Sequence, residues 1–564
     1  MLKCFLLLLQ VNDLDLEKSL LTIPISHPSA QNRFLLHPQT SLLRLPSSPL
    51  SLLTTIHKPL TRALLLAIIK EPFQPKPSSP LSDESVDSFI RRRFGPYVAD
   101  HMISAMVHGI YATDSRKLSV RSAFPWLWEA ERRRGSVVKA LIGGLGEKTA
   151  EEKRKEEEEA RAWSDLGELG VKMKKGISVW GLEGGLGKLG DRFKEVLEKR
   201  GVEFLLEHKV ESLESIQGGG IKVALPAKTF ETPLVVSTLS ASTLSKLLPS
   251  SSFLPHLAYN PSSTVSVVTL IFPSPPLSAP PYHPPGFGYL VPRSNQSNPH
   301  GVLGVIFDSS SMSAVDSIRT QSKIVKFTLM MGGPHYTSSN PPPSDPTTLI
   351  PIAVEHLRSS FPDLPKDLEP IAASAKTQVD CIPTYQPGHG ARMRELHEAI
   401  ETGEWRGKLA VAGASYGGVS LNDCCEAGAT LAEGLFAGEE IVTGLEKFKT
   451  WECVYSNPFS LHSTRTLIAS ALMLAAPTPL ALLHPDLPLR PSPLPSAPIL
   501  PAPDNADRLA PSIHLPESLV ASFPHPRPST LLPLPNSSNN NKILGRSYPG
   551  SSPSSVTSST LASP

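Results

Sequence analysis

Between Leu409 and Phe436 the chain reads LAVAGASYGGVSLNDCCEAGATLAEGLF, where an apolar run, three glycines and a pair of cap-forming polar residues follow closely on one another. Leu409 to Ala412 predicts a short buried strand. Gly413, Gly417 and Gly418 allow turn conformations and let the backbone approach a ligand. Asn422 or Asp423 is expected to cap a helix whose first-turn amides face back toward the turn. Such a unit either cradles an anionic or carbonyl-rich cofactor or simply joins strand to helix in an α/β fold. Cys424 and Cys425 fall at the start of that helix, where a lowered thiol pKa and plain buried packing are both open.

A second cluster, Gly185, Gly187 and Gly190, fits G-x-G-x-x-G between a predicted strand from Ile177 and an amphipathic helix with Leu189, Phe193, Val196 and Leu197 on one side. Gly201 ends that helix, VEFLL from Val202 is the next predicted strand, and Glu203 or Glu207 stands near the spacing of a ribose-binding acid. Dinucleotide binding and flexible helix entry both accommodate the triplet. His108, His389 and Asp114 are titratable, but none forms a pair at catalytic spacing, and each is expected to be structural. Cys4, Cys381, Cys424, Cys425 and Cys453 are scattered without metal-ligand spacing, so no metal site is predicted and free thiols are the simpler state.

These residues need a scaffold, and 564 residues suffice for two or three domains with a substantial core. The 54 basic and 52 acidic residues nearly cancel, which gives no electrostatic case for nucleic acid. Residues 83–111 read as helical, with Val86, Phe89, Ile90 and Arg93 on one face and Val98, Met102, Ala105 and Met106 on another. EEKRKEEEEARAW from Glu151 has almost no apolar stripe and predicts a solvated helix or mobile insertion. VSVVTLIF, FGYLV, GVLGVIF and IVKFTLMM, between Val265 and Met331, predict a mostly antiparallel sheet. A helix around Ile352–Ser359 and a strand at Thr377–Cys381 lead back to the glycine turn. Many of the 58 prolines sit in Pro-, Ser- and Asn-rich tracts after about Pro458, which are expected to be disordered. The N-terminal MLKCFLLLLQ is too short for a secretory signal and not arginine-rich, and no transmembrane helix is predicted.

Taken in order, GASYGGVSLNDC together with AQNRFLL, DESVDSFIRRRFGPYVAD, HGIYATDSRKLSVRSAFPWLW, LEGGLGKLGDRF, VVSTLSASTLSKLLP, GFGYLVPR, GVLGVIFDS and CIPTYQPGHG resembles the protoporphyrinogen oxidase family of flavoenzymes. The likeness runs from about Ala30 to Phe436. It implies a mixed α/β fold: a Rossmann-like FAD-binding domain in parts 177–240 and 376–440, an antiparallel substrate-binding sheet at 260–375 and a helical, membrane-associated subdomain at 81–145. Residues 146–176 would be a charged insertion, 1–29 an unmatched N-terminal segment and 458–564 a low-complexity tail.

The resemblance further implies FAD as cofactor, a tetrapyrrole and molecular oxygen as partners, peripheral membrane contact at the mitochondrial inner membrane, and homodimers. Arg33, in the Arg-Phe of AQNRFLL, matches the family's propionate-pairing arginine. Ala112 and Thr113 occupy a turn that lies against the macrocycle, with Thr113 where glycine is common, and Phe287 and Leu290 are wall candidates. Val210 matches a strand position whose backbone meets the adenine, and the amides of Val419, Ser420 and Leu421 would lie by the isoalloxazine. In the family the pyrophosphate-binding glycine fingerprint belongs to the first β-α-β unit, and residues 1–60 carry nothing of that pattern. A truncated or misassembled reading frame and a protein that has lost its first module therefore compete as explanations. Protoporphyrinogen oxidation is the activity the resemblance implies, with a related flavin amine oxidase or desaturase, or a non-catalytic remnant, as the alternatives.

Overall fold

The computed structural model describes residues 3–451 apart from 38–40, 48, 77–81, scattered positions between 147 and 175, 316–322 and 439–440. The tail expected at 458–564 lies outside the described residues. Along the chain the strands are β1 (Leu20–Pro24), β2 (Phe34–His37), β3 (Ser41–Arg44), β4 (Ile177–Leu182), β5 (Ser212–Ser215), β6 (Ile221–Ala224) and β7 (Thr229–Thr232). They continue as β8 (Val235–Ser237), β9 (Ser262–Pro273), β10 (Gly288–Leu290), β11 (Val302–Phe307), β12 (Ile324–Gly332), β13 (Ala372–Pro383) and β14 (Leu409–Val411).

The β-rich runs after Val265 do form an antiparallel sheet, in the order β13-β9-β12-β11-β10, and it is wider than the sequence suggested. The N-terminal hairpin β2–β3 extends it, with β2 parallel to β10 through Phe34 beside Tyr289 and Leu35 beside Leu290. Alternation along β9 sends Val268, Leu270 and Phe272 to one face and Val265 and Val267 to the other, as the two-residue repeat of a strand requires. The first face packs on a helix at Leu349–Ser360 and is dominated by aromatic rings, with Phe307 6.0 Å from Phe327 and 5.7 Å from Phe361, edge to face. The second face turns toward Ala112.

The predicted helix over 83–111 is interrupted. A helix at Val86–Phe94 ends at Gly95, whose φ of 88° is left-handed, and Pro96 starts a new turn that runs through a π-helical stretch into the helix Ser104–Tyr111. Both predicted apolar faces are buried in one cluster, joined by Leu60, Leu64 and Ala67 of the helix Pro59–Lys70, ahead of the segment expected to hold this subdomain. Inside it Arg93 and Glu71 form a fully buried ion pair, and Glu71 also accepts from the Val137 and Val138 amides at the start of the helix Val137–Gly143. Every charge there is matched, which burial demands.

Two further expectations are corrected. VEFLL is not a strand: residues 202–206 are irregular, because no neighbouring strand offers them a hydrogen-bonding edge, and Val210 therefore precedes β5 without belonging to it. The charged insertion is not wholly solvated, since Trp163, Leu166, Leu169 and Met173 bury themselves with Leu7, Leu8 and Val11 of helix α1 (Lys3–Asp13). That cluster also holds β4 and the helix Gly187–Lys199.

Candidate active site

The unit β14, glycine turn, helix forms as the sequence suggests. β14 is wholly buried and runs parallel to β8, and the helix that follows spans Leu421–Phe436. Its cap is Ser420 and not Asn422 or Asp423. The Ser420 hydroxyl accepts from the Asp423 amide at 3.1 Å while the Asp423 carboxylate accepts from the Ser420 amide at 3.1 Å, a reciprocal capping box.

Between strand and helix, four successive carbonyls are engaged by side chains. Tyr385 Oη donates to Ala414 O, Asn260 Nδ2 reaches Ser415 O at 3.5 Å, His389 Nε2 meets Tyr416 O at 2.8 Å, and Lys447 Nζ donates to Gly417 O at 2.7 Å. A peptide plane is rigid, with its N–H opposed to its C=O, so holding these carbonyls inward turns the following amides the other way. Among the described residues none accepts from the amides of Gly417, Val419 or Leu421, while the Gly418 amide faces the Tyr385 hydroxyl. These donors lie at a helix N-terminus, which suits oxygen-rich or anionic groups. Of the three residues expected at the isoalloxazine, Val419 and Leu421 keep their amides available, whereas Ser420 spends its own on Asp423.

Burial accounts for the electrostatics around this turn. His389 is stacked on Tyr385 at 4.0 Å and its pKa is held down to about 3, so it serves as a neutral imidazole. Tyr385 is pushed well above the ordinary phenol value for the same reason, with the Asp423 charge adding to it. Cys424 and Cys425 also move upward through burial, which corrects the idea of an activated thiol.

On the substrate-side expectation, Arg33 lies just ahead of β2 and its guanidinium stands 5.5 Å from the Phe287 ring centre. Burial lowers its pKa, and no described carboxylate pairs with it. A half-buried cation with an aromatic plate and no described acid can receive an anion. Leu290 fits over Gly109 and Gly304, where an added Cβ would come within 2.4 and 2.8 Å of it. Leu290 and Val419 both pack against the helical cluster, which brings a predicted wall residue and a predicted flavin residue to one body of side chains.

Ala112 caps the helix Ser104–Tyr111 in a left-handed conformation (φ 46°), an uncommon state for alanine. It packs with Val265 and Leu303 on the second face of the sheet, and Thr113 accepts from Thr384 Oγ1 at 3.2 Å. Thr384 precedes Tyr385, so this turn and the glycine turn are joined through the end of β13. Val210 is in the cluster of Val411 and Tyr416, beside β5. His108 and Asp114 are structural as expected: His108 Nδ1 meets Val291 O at 3.1 Å with its pKa lowered to about 4 by burial, and Asp114 pairs with Arg293 at 2.9 Å. The tethers Tyr385, His389, Asn260 and Lys447 were not foreseen, although Tyr385 and His389 are four apart within CIPTYQPGHG.

The second glycine cluster is built differently. β4 pairs antiparallel with β1, so no β-α-β unit surrounds it, and an added Cβ at Gly185, Gly187 or Gly190 would meet nothing within 4 Å.

Comparison with known proteins decides between these features. The family model of flavin containing amine oxidoreductases matches residues 6–435. The chain belongs to this family. The family match starts within α1, earlier than the Ala30 expected from the motifs, and ends one residue before the close of the last helix. Among curated relatives, the chain is 31% identical to the protoporphyrinogen oxidase of Schizosaccharomyces pombe over 444 residues, covering 75% of this chain and 82% of that protein. It is 30% identical to that of Homo sapiens over 436 residues, covering 77% and 84%. The fold is also that of a candidate protoporphyrinogen oxidase from Exiguobacterium sp. 255-15, with a TM-score of 0.58 at 20% identity over 77% of this chain and 85% of that one. As a member of the family the chain is a flavin-dependent oxidoreductase with FAD as its cofactor.

Proposed function

We propose that the chain oxidises protoporphyrinogen IX to protoporphyrin IX with oxygen as electron acceptor, in porphyrin and haem synthesis. The observation that carries this within the molecule is Arg33, a half-buried guanidinium over an aromatic ring with no described acid to neutralise it. Porphyrinogen is a large apolar ring bearing carboxylates, and Arg33 would take one of them while Phe287 and Leu290 line the macrocycle. The left-handed Ala112 and buried Thr113 would set the opposing backbone edge.

The cofactor would sit at the glycine turn, where the amides of Gly417, Val419 and Leu421 have no described acceptor and would hold the carbonyl-bearing edge of the ring. FAD, when bound there, would supply the redox chemistry, hydride acceptance from the substrate and reoxidation by oxygen. The chain contributes position and a dry environment. His108 and His389 are neutral and committed to the backbone carbonyls of Val291 and Tyr416, where they orient backbone. This division of labour supports cofactor-centred chemistry.

The reading extends to the surface of a membrane, that of the mitochondrial inner membrane. No helix of the described residues is long and apolar enough to cross one. Leu66, Ile69, Phe73 and Ile142 nevertheless stand exposed on the helical subdomain, with Arg133, Arg134 and Lys139 beside Ile142. Apolar anchors near basic side chains suit an anionic lipid surface.

The decisive experiment supplies FAD and colourless porphyrinogen to the purified chain and follows porphyrin fluorescence. Fluorescence is expected to rise with oxygen consumption, and Arg33→Ala should raise KM by about ten- to a hundredfold, as expected for a lost charge-assisted hydrogen bond. Absence of porphyrin formation by FAD-loaded protein would refute the reading.

A further inference from the structure

Residues 441–451 lie past the last residue matched by the family model, yet they are built into the cofactor side of the molecule. Val411 of β14 donates to Thr443 O at 2.9 Å, and the buried Thr443 hydroxyl meets His397 Nδ1 at 2.6 Å. Glu446 accepts from the Thr443 and Gly444 amides at 2.6 and 3.1 Å, which closes the strap into a turn. Leu445, Phe448 and Trp451 are buried with Val411 and Tyr416. At the far end the Arg121 guanidinium lies 4.2 Å from the Trp451 ring centre and donates to its carbonyl, and a Cβ at Gly390 would collide with the indole. The strap is thus fastened to β14, to the helix His389–Thr402 and to the helical subdomain.

What it delivers is one cation. Lys447 Nζ sits 2.7 Å from Gly417 O, and a Cβ at Gly417 would fall on the ammonium, so this glycine makes room for it. The Gly417 carbonyl shares its peptide plane with the Gly418 amide. Fixing one fixes the direction of the other, and a cation on the oxygen makes the opposed N–H a stronger donor. We propose that Lys447 is a positioning residue of the flavin-side turn, fixing the Gly417–Gly418 peptide plane, and that the strap 441–451 is the device that holds it in place. The proposal rests on the reading of this turn as the flavin side.

Two measurements on the full chain, with Lys447→Met and Lys447→Arg beside the wild type, test it. The first is hydrogen exchange without flavin at the hydrogen-bonded amides of Tyr416, Ser420, Asp423 and Cys424. It should be about five- to tenfold faster in Lys447→Met, near wild type in Lys447→Arg, and unchanged in β12. The second is FAD affinity from quenching of flavin fluorescence, which should weaken about five- to tenfold in Lys447→Met with recovery in Lys447→Arg. Unchanged exchange at the turn, acceleration spread equally to β12, or an arginine variant that behaves like methionine overturns the assignment, as does undiminished FAD affinity in Lys447→Met. If the wild type itself fails to quench FAD, the flavin reading falls, and exchange at the turn alone then decides whether Lys447 holds it.

Discussion

Two turns in this molecule look alike as sequence: Gly413 to Ser420 and Gly184 to Gly190 both place glycines between a strand and an amphipathic helix. Their surroundings differ. The first ends a strand of a parallel pair, has four carbonyls held by side chains, and at Gly418 would put an added Cβ 2.4 Å from that of Asp423. The second ends a strand of an antiparallel pair and leaves open space at Gly185, Gly187 and Gly190. A glycine motif signals a binding site when the fold requires the glycine and prepares the peptide planes, and spacing alone does neither.

The contrast can be broken most forcefully at Gly418. Gly418→Ala drives a methyl into the capping box and should cost about 2–3 kcal/mol of stability, with loss of FAD binding. Denaturant unfolding and flavin fluorescence would read both; a variant as stable as wild type would remove the argument that this glycine is required.

Acid should loosen the first turn through its histidine. His389 is about 3 when folded and near 6.5 when unfolded, so the unfolded chain takes up the proton first. The stability it contributes is complete above about pH 6.5 and is lost as pH falls toward 3, amounting to roughly 2 kcal/mol by pH 5. His108, held to about 4, acts in the same direction over a narrower window. Thermal unfolding between pH 7.5 and 5, with His389→Gln showing a shallower dependence, checks the sign.

Tyr385→Phe removes a single tether, from Ala414 O, and should destabilise by about 1–2 kcal/mol because a buried carbonyl loses its donor. At the other turn, Gly187→Ala and Gly190→Ala should be harmless or stabilising by about 0.5–1 kcal/mol each, since both are helical positions with free space. Equal damage from substitutions at both turns would erase the distinction.

Much of this was legible in the chain. β-rich apolar runs marked β9, β10, β11 and β12, and the glycine turn with its helix followed from local chemistry. The cap was misplaced by choosing Asn422 or Asp423, although the spacing of Ser420 and Asp423 is itself a capping-box signature. Other features had no local signal. β2 pairs with β10, and Asn32 donates to Pro285 O across 253 residues, through an edge that exists only once the sheet is built. VEFLL had strand-forming residues and no edge to join. At the site, Arg33 could be singled out by resemblance, whereas its lack of an acid and its aromatic plate are properties of packing.

The pairing of β2 with β10 also orders events during synthesis. The hairpin that positions Arg33 leaves the ribosome some 250 residues before the strand it must join, a delay of roughly 12–50 s at ordinary elongation rates. Through that interval β2 presents unpaired backbone and the apolar side chains Phe34, Leu35 and Leu36, which a holdase chaperone can shield. The residue expected to select the substrate is set in place only well after it is made.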